Sequence, residues 1–119
     1  MSADEHLSGL QFSSTPVDDI STAHYARVGR NVVGHAMTNH VPGEPVELSA
    51  IRVGDDYQGQ GIGHRLLDHV ISQNSGSTMT LHPSPFGNEP MDADHLRRFY
   101  GSHGFKQRKD GNMTRRATR

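Results

Sequence analysis

The sequence predicts an α/β (α+β) domain with a mixed, mostly antiparallel central sheet and two packed helices. Three observations predict it: alternating apolar segments lie on either side of short turns, two further segments repeat apolar residues at helical spacing, and glycines and prolines mark the connections. The order is hairpin, strand, helix, strand, helix, hairpin, which is typical of a sheet with helices packed on it.

A length of 119 residues fits one domain. Residues 1–20 mix polar side chains with isolated apolar ones, so we expect a partly ordered N-terminal arm in which only Leu10–Phe12 forms a short strand. We expect residues 21–119 to fold as a single domain. Because only 32% of the residues are hydrophobic, its core must be thin.

The first half of the domain predicts strands. Ala23–Val28 and Val32–Thr38 lie on either side of a glycine-containing turn and predict a β-hairpin. The loop Asn39–Pro45, with two prolines, leads into a third strand over Val46–Val53.

The alternation of this third strand shifts by one residue. Val46, Leu48 and Ala50 share one parity, whereas Ile51 and Val53 share the other. A β-bulge between residues 50 and 51 would reconcile the two sets and would pull the strand away from a neighbour. A strand covered on both faces explains the pattern equally well.

The second half predicts the helices. A glycine-rich loop, Gly54–Gly63, precedes a helix that ends at residues 74–76, and Thr78–His82 alternates as a strand. Three prolines exclude regular structure over Pro83–Pro90. The apolar stripe of this helix comprises Ile62, Leu66, Leu67, Val70 and Ile71.

A second helix and a hairpin close the chain. Asp92 is a suitable N-cap, and Gly104 supplies a left-handed C-terminal residue. Phe105–Gln107 and Asn112–Arg116 predict the closing hairpin. The stripe of this helix comprises Leu96, Phe99, Tyr100 and His103.

Composition excludes several classes of protein. Without cysteine there is no disulfide framework, no thiolate metal site and no cysteine nucleophile. A formal charge of −1 argues against general nucleic-acid binding, so we expect no nucleic-acid partner. The chain has no long apolar run, and we therefore expect no membrane partner and a cytoplasmic location.

The glycine-rich loop is the first candidate site. Its glycines would let the backbone approach a ligand, and the first amides of the following helix are unpaired donors suited to a pyrophosphate. The Lys-Ser/Thr pair of a P-loop is missing, and the glycine spacing fits a dinucleotide site poorly. The alternative is a tight turn that needs glycine for its backbone conformation alone.

Two motifs resemble one known family. Gln58-Gly59-Gln60-Gly61-Ile62-Gly63, after a strand and before a helix, resembles the Arg/Gln-x-x-Gly-x-Gly/Ala motif of the GNAT superfamily of N-acetyltransferases. The later run from Leu96 to Phe105, with its Phe-Tyr pair and Gly-Phe ending, resembles the family's last helix and turn. The resemblance covers roughly Tyr25 to Arg116 and implies a GNAT-like fold.

The resemblance implies acetyl-coenzyme A as co-substrate and no metal cofactor. It implies that the pantetheine arm pairs with the strand backbone around Ile51, Arg52 and Val53, where the inferred bulge would open the sheet. The residues it implies for the pyrophosphate are Gln58, Gly59, Gln60, Gly61, Ile62 and Gly63.

Two residues are candidates for proton transfer. Tyr100 matches the family's general-acid tyrosine, which protonates the departing thiolate; the alternative is a tyrosine that only extends the apolar stripe. Glu47 resembles a glutamate that some members use to accept the amine proton; the alternative is a surface carboxylate. The 9 histidines show no metal-ligand spacing, and we expect them to be scattered and solvated.

The front of the chain departs from the family. Relatives have a strand and two helices before the hairpin, whereas only about 22 residues precede Ala23 here. We therefore expect a truncated helical part. The resemblance itself implies direct acetyl transfer to a primary amine of a protein or small molecule. A second subunit could complete the acceptor groove, making a homodimer possible. The alternative functions are a non-catalytic coenzyme A-binding module and a protein-interaction module.

Overall fold

The computed structural model describes residues 9–83 and 93–117. Within them, seven strands form one sheet in the order β1-β2-β3-β4-β5-β7-β6. The strands are β1 (Leu10–Pro16), β2 (Ser21–Val28), β3 (Asn31–Asn39), β4 (Val46–Val53), β5 (Met79–Leu81), β6 (Lys106–Gln107) and β7 (Met113–Arg115). The helices are α1 (Ile62–Gln73) and α2 (Ala93–Gly101), and a single 3₁₀ turn covers Asp55–Tyr57.

The sheet is mixed, and antiparallel pairs dominate it. Strands β4 and β5 pair in parallel, and every other neighbouring pair among the described strands is antiparallel. Helix α1 forms the crossover between the two parallel strands. The predicted fold class is therefore confirmed.

Several element boundaries differ from the prediction. Strand β1 extends to Pro16 instead of ending at Phe12, because it pairs with β2 along its whole length. Strand β5 is shorter than the predicted Thr78–His82. The proposed N-cap Asp92 and residues 84–90 of the proline-rich loop lie outside the described residues.

Strand β4 contains a bulge. Met37 pairs with Ala50, and the next residue, Thr38, pairs with Leu48, so Ser49 has no partner of its own on β3. Ser49 and Ala50 are both exposed, and buried residues alternate with exposed ones before and after them. The bulge alternative is thus correct, but its position was off by one: Ala50 does not belong to the buried set, and the shift lies at residues 49 and 50.

Helix α1 packs against the centre of the sheet. Its apolar stripe is buried in one core together with the inward residues of β3 and β4. A side chain at Gly34 would place its Cβ 3.2 Å from the carbonyl oxygen of Arg52 and 3.4 Å from a methyl group of Leu66. Glycine at this position lets the helix approach the sheet closely.

Helix α2 lies beside α1. The ring of Phe99 is 4.6 Å from that of His64 on α1, and His103 just after α2 bonds to Asp68. Both helices therefore cover the same face of the sheet. We call the opposite side of β2, β3 and β4 the outer face. Among the described residues it carries no helix, and the β4 residues exposed there are Glu47, Ser49, Ala50 and Arg52.

Candidate active site

An opening lies between β4 and β5. The two strands pair at three positions only, and the last pair is Leu48 with Leu81. β5 ends there, while β4 continues to Val53. The backbone edge of Ser49–Val53 on the β5 side therefore has no strand partner within the described part of the chain, and it can hydrogen-bond to an extended ligand.

The loop after β4 brings a helix start to this opening. The N-cap residue of α1 is Gly61, with a left-handed backbone at φ 82°. The first helical hydrogen bond runs from the amide of Arg65 to the carbonyl of Gly61. The amides of Ile62, Gly63 and His64 precede that bond, so no helical carbonyl accepts from them. Together with the positive end of the helix dipole they form a site for an anion.

A cleft of about 250 Å³ lies in front of these amides. A Cβ added at Gly59 or Gly61 would meet no atom within 4 Å, so the surface over the loop is open to a ligand. The cleft unites six of the ten residues predicted to contact the coenzyme; the other four, Ile51, Arg52, Gln60 and Tyr100, do not line it. Its lining residues are Val53, Tyr57, Gln58, Gly59, Gly61, Ile62, Gly63, His64, His95 and Phe99.

The two glutamines of the motif turn back onto the protein. Nε2 of Gln58 donates to the carbonyl oxygen of Val53 at 3.0 Å, tying the loop to the end of β4. Nε2 of Gln60 donates to the carbonyl oxygen of Asp56 at 3.3 Å. In this conformation both side chains stabilise the shape of the loop, and its backbone amides remain the donors for a phosphate.

Tyr100 lies in the core, on the helix side of the sheet. It is 3% exposed and contacts the rings of Phe99, which lines the cleft, and Phe105. Burial raises the pKa of Tyr100 to about 12. Its hydroxyl group therefore keeps its proton throughout the neutral range, as a proton donor must.

Glu47 lies on the outer face of β4, one residue before the last pair with β5. Nδ2 of Asn39 donates to Oε1 of Glu47 at 2.9 Å, and Oγ of Ser21 donates to Oδ1 of Asn39 at 2.9 Å. These bonds hold an exposed carboxylate in one orientation. Glu47 and Tyr100 thus lie on opposite sides of the sheet, with the opening between β4 and β5 in the layer that separates them.

The expectation of scattered, solvated histidines is wrong for His24 and His103. His24 is 1% exposed, its Nδ1 lies 2.7 Å from Oγ of Ser14, and the same oxygen lies 2.8 Å from Nε2 of His69. His103 is also largely buried and bonds to His64 and Asp68. One sequence signal for His24 was its place in a row with the inward Ala26 and Val28. Its partners come from other strands and were not predictable from spacing.

The described ranges, 9–83 and 93–117, contain no group of three or more His, Asp or Glu side chains that could hold a metal ion. Neither of the two described helices is long and apolar enough to cross a membrane.

Comparison with known proteins decides the family. A model described as the acetyltransferase (GNAT) domain matches residues 20–107, which is most of the chain. The chain belongs to the GNAT family of acetyltransferases. No individually curated protein matches the sequence significantly.

Solved GNAT structures share the fold. The ribosomal-protein-S18-alanine N-acetyltransferase of Escherichia coli superposes with a TM-score of 0.71 at 19% identity, over 92% of this chain and 95% of that one. A GNAT family acetyltransferase of Elizabethkingia anophelis, with acetyl-CoA bound, gives 0.70 at 15% identity, over 91% and 98%. The Escherichia coli protein YhhK, bound to coenzyme A, gives 0.67 at 23% identity, over 88% and 78%. Family and fold together indicate acetyl transfer from acetyl-coenzyme A.

Proposed function

We propose that this protein transfers the acetyl group of acetyl-coenzyme A directly to a primary amine of a protein or small molecule. The observation that carries the proposal is the opening beyond Leu48 and Leu81, which places a free strand edge beside the unpaired amides at the start of α1. A ligand with an extended amide arm and a diphosphate fits both features at once.

The coenzyme would be held mainly by backbone groups. The amides at the start of α1, around Gly61 and Gly63, would bind the diphosphate, and the free edge of β4 around Ile51 would pair with the pantetheine arm. Val53 offers less, because its carbonyl already accepts a bond from Gln58. Arg52 is exposed on the outer face, so its contribution would be its backbone.

The reaction needs one proton removed and one supplied. As the amine attacks the thioester carbonyl, a C–N bond forms, the C–S bond breaks, and the amine loses a proton to Glu47, directly or through water. Tyr100 donates its phenolic proton to the departing sulfur. Glu47 on the outer face and Tyr100 on the helix side suit a substrate that reacts between them.

The outer face would admit the acceptor. Within the described residues no helix covers it, and Glu47, Ser49 and Ala50 are exposed there. An open surface accommodates a bulky acceptor such as a protein N-terminus or a lysine side chain. A second subunit covering this face would instead narrow the groove towards small amines.

Calorimetry and thiol release test the proposal together. We expect saturable binding of acetyl-coenzyme A by titration calorimetry, and release of free coenzyme A in the presence of an amine. Because the chain has no cysteine, a thiol-reactive dye detects only the coenzyme. The amine panel comprises peptides with free N-termini, peptides with an acetylated N-terminus and one lysine, and small polyamines; mass spectrometry locates the acetyl group.

Each result has a defined meaning. Binding with acetylation of one amine class supports the proposal and identifies the acceptor. Binding without thiol release across the whole panel would favour a coenzyme A-binding module, and no binding at all would favour an interaction module.

A further inference from the structure

Three side chains form a hydrogen-bonded chain from the surface to the cleft. Nδ1 of His103 lies 2.9 Å from Oδ1 of Asp68, and Nε2 of His103 lies 2.8 Å from Nδ1 of His64. Asp68 and His64 are four residues apart on α1 and so share one side of the helix, while His103 follows α2. His64 is a lining residue of the cleft, beside Gly61 and Gly63.

The carboxylate of Asp68, at one end of this chain, determines which nitrogen donates in each hydrogen bond. An ionised Asp68 can only accept, so Nδ1 of His103 carries the proton. Neutral His103 then accepts at Nε2, and Nδ1 of His64 must donate. The ring nitrogen of His64 outside the chain is Nε2. It is a hydrogen-bond acceptor while His64 is neutral and becomes a donor only when His64 takes up a proton.

The surroundings of His103 disfavour an added proton on its imidazole. The side chain of His103 is 7% exposed, and burial lowers the pKa of His103. His64 is exposed, with Phe99 packed at 4.6 Å. Protonated His64 and ionised Asp68 would have opposite charges at the two ends of a neutral imidazole.

Other ionisable groups face the chain from every neighbouring element. His95 of α2 and Tyr57 of the loop line the same cleft. Arg115 of β7 donates from Nε to the carbonyl oxygen of His103, and its charge opposes protonation of that imidazole. His95 is the other imidazole among the residues that line the cleft, so it needs its own variant.

We propose that the chain Asp68–His103–His64 makes His64 a proton-dependent contact for the diphosphate of acetyl-coenzyme A, so that binding of the coenzyme takes up a proton. The inference rests on the proposed function, because it assumes a diphosphate at the start of α1. A neutral His64 would offer the diphosphate a lone pair, whereas a protonated one offers a charge-assisted hydrogen bond. Asp68 compensates the added charge through His103.

The test measures proton uptake directly. Titration calorimetry at pH 6.5, 7.0 and 7.5, in buffers of different ionisation enthalpy, gives the number of protons bound with the ligand. The probe is dephospho-coenzyme A, which keeps the diphosphate and lacks the terminal phosphate monoester. That monoester would itself exchange protons in this range. Acetyl-coenzyme A is titrated beside it.

We expect the parent protein to take up between a fraction of a proton and one proton for each molecule of probe that binds. The His64→Gln variant should lose this uptake and bind the probe about 10-fold more weakly at pH 6.5, with a smaller difference at pH 8, as for a lost charge-assisted hydrogen bond. Asp68→Asn keeps an acceptor for His103 but removes the charge, so its uptake should fall between the two. His35→Gln, which changes an exposed imidazole on the outer face, should behave like the parent.

Three results would overturn the inference. The first is binding of the probe without proton exchange and equally in the parent and in His64→Gln. The second is uptake lost in His95→Gln instead of His64→Gln. The third is uptake with acetyl-coenzyme A but not with the probe, which would assign the proton to the terminal phosphate. If neither ligand binds the parent at all, the proposed function is refuted together with this inference.

Discussion

Leu48 and Leu81 form the last residue pair between strands β4 and β5. Directly after Leu48 come the bulge residues Ser49 and Ala50, and beyond them β4 continues without a strand partner on that side among the described residues. A bulge bends its strand and increases the local twist. The opening thus lies where β5 ends at Leu81 and β4 continues past its bulge to Val53.

Replacing Tyr100 with Phe tests the general acid. We expect kcat to fall by about 10²-fold, in the range of a lost general acid, while the affinity for acetyl-coenzyme A stays within about twofold. Steady-state kinetics and calorimetry give the two values. Because Tyr100 is buried and packs its ring against Phe99 and Phe105, phenylalanine keeps the aromatic packing and removes the hydroxyl group. The control is Tyr25→Phe, which removes a hydroxyl group from the outer face; a parent-like kcat in Tyr100→Phe would exclude the assignment.

A pair of glycine substitutions tests the phosphate site. Gly61 and Gly43 both have φ 82°, and a Cβ at either would meet nothing within 4 Å. Glutamate at either position therefore costs about 1–2 kcal/mol of backbone strain, so the losses of stability should match. Gly61→Glu also places a carboxylate against the diphosphate, and calorimetry should show coenzyme affinity at least about 10-fold below that of Gly43→Glu. Equal affinities would exclude the loop as the phosphate site.

The sequence predicted the sheet, and it offered the bulge beside the opening as one of two explanations of β4, because both leave local patterns. Apolar alternation located β4 and its irregularity, and the glycine spacing located the start of α1. The error at Ala50 has a physical cause: alanine is small enough to be exposed at little cost, so its apolar character says little about the face it occupies. That exposed Ser49 is the residue left without a pair depends on the register with β3, which a single strand does not reveal.

The hydrogen-bonded contacts between polar side chains were not predictable from local sequence patterns. His64, His103 and Asp68 meet because α2 packs beside α1, and His24 meets His69 because α1 crosses β2. These contacts join residues of different elements that are far apart in sequence, and each residue alone has the features of a surface side chain.

From the lowered pKa of buried His24 we expect the protein to lose stability in mild acid. Burial and the nearby His69 and His40 lower its pKa to about 4 from an ordinary 6.5. As the pH falls, the imidazole of residue 24 is therefore protonated in the unfolded chain before it is protonated in the folded protein. The contribution of neutral His24 to the free energy of unfolding is complete above about pH 6.5 and is lost as the pH falls towards 4. The difference between the two pKa values of His24 corresponds to at most about 3 kcal/mol in the free energy of unfolding.

Urea unfolding between pH 7 and 4.5 measures this effect. His24→Gln should lower stability at pH 7, because it disturbs the bonds to Ser14 and Thr38, but should flatten the decline with acid. His35→Gln, at an exposed position, should leave the slope unchanged. His69 and His103 also have lowered pKa values and contribute in the same direction, so the difference between the parent and His24→Gln isolates one residue. If the free energy of unfolding fell with the same slope in the parent and in His24→Gln as the pH is lowered, the prediction would be refuted.

Glu47 provides the sharpest test of catalysis on the outer face. Glu47→Gln retains an oxygen that can accept the bond from Asn39, so the side chain keeps its place while losing its ability to take a proton. We expect kcat/KM for the amine to fall by about 10² at neutral pH, with unchanged affinity for acetyl-coenzyme A. Asn39→Ala, which frees the carboxylate without removing it, should give a smaller loss. Glu44→Gln, in the exposed loop before β4, is the matched control and should retain parent activity. If Glu47→Gln and Glu44→Gln were equally active across the pH range, the amine would lose its proton to water alone, and Glu47 would be a surface carboxylate.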